Sequence, residues 1–119
     1  MAGSTMNPEV KAKWVAALRS GKYEQGTKTL RSQGNKFCCY GVLCELAVEA
    51  GVIYPARLSS FWPDYIYDSR TAMPSGQVLA WARLDEPKVT IDGREASLQS
   101  HNDGGKTFTQ IADAIEAQL

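Results

Sequence analysis

The chain is poor in several things at once. Its 119 residues hold one histidine, His101, and three cysteines confined to residues 38–44, with 13 basic residues balancing 13 acidic ones. A nucleic-acid binder is usually basic over the whole domain, so zero net charge argues against that class. No apolar run approaches the ~20 residues a membrane-spanning helix needs. The opening MAGSTMNPEV lacks a basic region followed by an apolar core, and so does not read as a secretory leader. These absences point to the cytoplasm and to no membrane partner. Repeats, linkers and low-complexity stretches are also missing. What remains is an ordinary globular composition, 44% hydrophobic and 22% charged, at a length that suits one domain. Met6 reads as the native start, residues 1–5 as a tag or frayed end, and 6–119 as a single globular domain.

The charge is unevenly spread. Residues 1–40 carry seven basic side chains against two acidic, and the remainder six against eleven, giving halves of +5 and −5. Folding the halves together would cancel much of that field, so solvated faces are the simpler reading than an anion patch.

Local signals give the elements. Asn7 suits an N-cap, Pro8 the first helical position and Gly21 the left-handed end of a helix whose stripe is Val10, Trp14, Ala17 and Leu18. Trp14 then reads as a core anchor. Residues 22–37 read as a short antiparallel hairpin turning at SQGN, with Lys22, Gln25, Lys28 and Arg31 on its exposed side. A second helix from about residue 38 to Gly51 is apolar nearly all round, which makes it the central, buried helix. Residues 52–73 are irregular and aromatic, and so must be functional or strand-bearing. Residues 73–84 predict a short helix, VTIDGREASL a hairpin about Asp92-Gly93, and Thr107–Gln110 a capping box opening the last helix. The fold class is α+β: three or four helices packed on short antiparallel hairpins.

The cysteines in NKFCCYGVLCEL admit four readings. A zinc site needs a second ligand pair, and here only His101 is on offer, with Cys39 and Cys44 on different sides of a helix. A disulfide between neighbours Cys38 and Cys39 would be strained. A catalytic thiol at a helix start, with His101 as base, matches no hydrolase signature. Small, polarizable core residues are the leading reading, so no catalytic residue, metal or cofactor is expected. The stretch HNDGGKTF offers two glycines, Lys106 and a helix N-terminus, the ingredients of an anion cradle. The phosphate-loop spacing fails, because Ser100 stands where a glycine is needed. A turn capped by Asn102 and Asp103 leads.

KWVAALRSGKYEQG, FCCYGVLCELA, PSGQVLAWARL and LQSHNDGGKTFTQIADAIEAQL together resemble a family of small uncharacterised bacteriophage and prophage proteins. The resemblance spans the chain apart from residues 52–72. Tyr40 replaces a usual Leu, Arg83 a Gly, and His101 an apolar residue. It carries over no catalytic site, and it implies an accessory role against the host, such as counter-defence. Three readings follow. Capture of a small anionic ligand such as a nucleotide, in a homo-oligomer or not, would use Lys22, Tyr23, Gln25, Lys28, Arg31, Asn102, Asp103, Gly104, Gly105, Lys106 and Thr107 converging on one pocket. An inhibitor binding a host or defence protein would expose Phe61, Trp62, Tyr65 and Tyr67. A cysteine hydrolase would set Cys38 or Cys39, open to solvent, within hydrogen-bond reach of His101.

Overall fold

Helix α1 (Pro8–Arg19) starts as its caps dictate: the Asn7 side chain accepts from the amides of Glu9 and Val10. It presents Val10, Trp14, Val15 and Leu18 to the core. The computed structural model describes residues 5–58, 60–61 and 63–119, and the expectations for residues 1–4 and Trp62 lie outside them. In chain order α1 is followed by β1 (Glu24–Gln25), β2 (Lys36–Phe37), α2 (Cys39–Glu49), α3 (Gly76–Ala82), β3 (Lys88–Ile91), β4 (Arg94–Ser97), α4 (Leu98–Asp103) and α5 (Phe108–Gln118). The fold is α+β. No helix among the described residues is long and apolar enough to cross a membrane.

Helix α2 is the hub, with Cys39, Tyr40, Gly41, Val42, Leu43, Cys44 and Ala47 all buried. It contacts α1, α3 and α4, while α1 packs chiefly on α5. The Trp14 ring stacks on Tyr40 at 5.7 Å between centroids, and its Nε1 donates to the Cys39 carbonyl at 3.0 Å. The charged halves do meet: Arg19 bridges Asp113 at 2.7 Å and Glu116 at 3.0 Å.

Residues 22–37 differ from the expected antiparallel hairpin. β1 and β2 pair in parallel, and the antiparallel element shrinks to an Arg31–Phe37 bridge closed by the SQGN turn, where the Asn35 amide donates to the Ser32 carbonyl at 2.9 Å. The intervening chain is pulled away because Leu30 is buried under α2. Gly41 permits this: a Cβ there would stand 1.7 Å from the Leu30 carbonyl oxygen. The hairpin at Asp92-Gly93 forms as read, with φ of 53° and 81° at the turn. Helix α4 is additional. Ser97 caps it, accepting from the Ser100 amide at 3.1 Å.

The described residues between 54 and 70 form an irregular ribbon. An Arg57–Ile66 bridge joins its arms, and Tyr67 and Arg70 exchange backbone hydrogen bonds of 2.8 Å around Asp68 and Ser69. Both turn residues have positive φ, 47° and 69°, as a type I′ turn requires.

Candidate functional site

The two stretches picked out as an anion site do meet, and they satisfy each other. Asn102, fully buried, accepts from the Cys39 amide at 3.2 Å and from Gln25 Nε2 at 3.0 Å, and donates to the Gly26 carbonyl at 2.8 Å. It thereby caps α2, whose own N-cap residue, Cys38, offers no side-chain bond. Gln25 Nε2 also donates to the Lys106 carbonyl at 2.7 Å, while its Oε1 accepts from the Phe108 amide at 3.0 Å. Asp103 accepts from the Lys28 amide at 2.8 Å, fixing that residue at φ 71°. The α5 N-terminus is further closed by Thr107 and Gln110, which form the capping box.

The two stretches thus form an internal knot, as the capped-turn reading of Asn102 and Asp103 expects: the Phe108 amide is taken by Gln25 and the Gln110 amide by Thr107. Gly104 and Gly105 end α4, with the Gly104 amide donating to the Ser100 carbonyl at 2.9 Å. Lys106 pairs with Asp92 at 2.6 Å, which holds that carboxyl below its usual range by hydrogen bond and charge. Lys22 lies 5.4 Å from the Tyr23 ring centre, and Tyr23 packs edge-on against Phe37.

Arg31 is placed elsewhere, as a clamp on the ribbon. Its guanidinium lies 4.0 Å from the Tyr65 ring centre, is 3.6 Å from Glu45 and donates to Asn35 Oδ1 at 2.8 and 3.0 Å. Tyr67 is corrected from exposed patch to core: it is 1% exposed, and its hydroxyl donates to Glu45. Burial first, then that carboxylate, push its phenol pKa well up. Tyr65 is half-buried under Arg31. Of the expected aromatic patch, Phe61 is 91% exposed, and the ribbon adds Tyr54 at 90% and Leu58 at 49%.

All three thiols are buried and unpaired with one another. Burial pushes Cys38 up to about 11 and also raises Cys39 and Cys44 well above the usual thiol value. Cys39 Sγ faces the Leu98 carbonyl at 3.7 Å. His101 is also buried, with Nε2 donating to the Val89 carbonyl at 2.8 Å. A hydrolase needs an accessible thiolate, so that reading loses its nucleophile. Among the described residues no cluster of three or more His, Cys, Asp or Glu could hold a metal.

The sequence reading overlooked a cleft of about 530 Å³ between the end of α2 and the Asp68–Ser69 turn, lined by Val48, Val52, Ile53, Tyr54, Asp68 and Gln77 among others. Its only local signal was the aromatic, turn-rich composition of residues 52–73.

The family match runs along nearly this whole architecture, from Met6 to Leu119. The chain belongs to the family described as a domain of unknown function, DUF8296. No curated protein and no solved structure matches it. The DUF8296 span takes in the Asn102 knot, the buried α2 and the ribbon alike.

Proposed function

We propose that this DUF8296 protein is a non-enzymatic accessory factor of a phage or prophage, and that it acts by docking its ribbon on a bacterial host or defence protein. One observation carries this reading. Tyr54, Leu58 and Phe61 are 90%, 49% and 91% exposed within residues 54–61, and every other large apolar side chain among the described residues is less exposed than these. Exposed apolar groups concentrated on one segment mark interaction surfaces. The arm of the ribbon that carries Tyr65 and Tyr67 is anchored on Arg31 and Glu45, which lowers the ordering cost of binding there. Small-anion capture at residues 22–31 and 102–107 is less well supported, because their polar groups bond one another.

A photo-crosslinking amino acid at position 58 or 61, compared with one at Lys13 on α1, tests the docking in living bacteria. A discrete heteromeric adduct from the ribbon positions alone is expected. No adduct, the same adducts from Lys13, or only a homodimer would sink the proposal.

A further inference from the structure

We propose that the cleft at the base of the ribbon binds a small organic ammonium carried on an apolar body. At about 530 Å³ it falls in the range of roughly 300–1,000 Å³ typical of small-molecule sites. Its aliphatic wall is Val48, Val52 and Ile53, and its charged group is the single carboxylate of Asp68. That composition rejects anions and suits a cation with an apolar tail.

The carboxylate is held in place. Gln77 Nε2 donates to Asp68 Oδ2 at 3.1 Å, and the backbone beneath is pinned by the paired 2.8 Å bonds of Tyr67 and Arg70. Two successive non-glycine residues at φ 47° and 69° are an uncommon expense of conformational energy, and such strain collects at ligand sites. Arg57 lines an adjoining depression of about 380 Å³ that shares Tyr54, Pro55 and Asp68. Even so, among the described residues Asp68 enters no ion pair. Tyr54 lines the same cleft while 90% exposed, leaving its ring available to a cation. Carboxylate, aromatic face and aliphatic wall are the three contacts an aryl- or alkylammonium needs.

The cleft shares Tyr54 with the docking segment, but its test reads Asp68 and the crosslinking test reads positions 58 and 61, so its failure leaves the crosslinking result untouched. The test is an amide-resolved NMR titration of the whole chain with 2-phenylethylamine and with its neutral counterpart, 2-phenylethanol. Saturable shifts at residues 51–54, 68–69 and 77 are expected with the amine and not with the alcohol. Asp68→Asn tolerates the left-handed backbone and still accepts from Gln77, so it should fold. It should weaken the amine about tenfold or more, while Asp64→Asn changes nothing. Equal binding of amine and alcohol, an unaltered affinity in Asp68→Asn, or no shifts up to the amine's solubility limit would each overturn the assignment.

Discussion

Gly41 is a residue whose role is purely to be absent. With a Cβ placed 1.7 Å from the Leu30 oxygen, Gly41→Ala must push α2 off the preceding segment. The expected cost is about 3 kcal/mol or more, a large share of a domain's ~5–15 kcal/mol. Urea unfolding reads it directly, and an unchanged midpoint would mean that the Leu30 contact yields freely. Arg83 is the opposite case. It ends α3 in the left-handed region, at φ 57° and ψ 48°, where the resembled motif has glycine. Relief of that strain, less glycine's extra freedom when unfolded, should make Arg83→Gly more stable by roughly 0.5–1 kcal/mol. Two tyrosines make a further contrast. The Tyr40 hydroxyl is buried with no partner among the described residues, so Tyr40→Phe should be neutral or stabilising by about 1 kcal/mol. Tyr67→Phe strips Glu45 of a donor and should lose about 1–3 kcal/mol. Thermal melts of the pair should move in opposite directions or leave only Tyr40→Phe unmoved.

Among elements, α1, α5 and the 88–97 hairpin were readable because their signals are local: caps, a capping box and an Asp-Gly turn all lie within a few residues of what they control. The parallel pairing of β1 with β2 was not readable, since nothing within residues 22–37 reports that Leu30 must pass beneath Gly41. Helix α4 was missed because its six residues sit between two strong turn signals. The knot shows the limit most clearly. Asn102 and Gln25 were chosen as binding groups for their polarity, yet their partners lie 63 to 83 positions away in sequence. Polarity is legible in a sequence; the identity of the partner is not. Asn102→Ala should therefore cost about 3 kcal/mol, because it strands the Cys39 amide, the Gly26 carbonyl and one Gln25 bond in a dry site. A loss below about 0.5 kcal/mol in chemical denaturation would show that the site rehydrates without penalty.

For the molecule as a whole, buried acids govern the alkaline limit. Cys38 is raised to about 11 by burial, Cys39 and Cys44 are raised too, and so are the phenols of Tyr40 and Tyr67. Unfolded thiols ionise near ~8.5, so above that pH the unfolded state sheds protons that the fold retains. Stability should then be full below about pH 8.5 and fall as pH rises toward 11. A melting temperature flat across that window would contradict the burial. On the acid side, Asp92 and Glu116 are held low by Lys106 and Arg19. Their contribution is present above the ordinary carboxylate range and fades as pH falls, but both are exposed and salt should screen it. Native protein at pH 7.5 should react slowly with a thiol reagent, and all three cysteines promptly once unfolded.

The span of the knot has a bearing on how the chain is made. Gln25 and Cys39 leave the ribosome long before Asn102, and Arg19 waits still longer for Glu116, 97 positions on. Since α1 and α2 lack their covering until then, early folding during synthesis has little to stabilise it, and these long loops slow the final closure. Nascent chains stalled before residue 102 should stay protease-sensitive with reactive thiols. Release of the full chain should bring protection in a single late step.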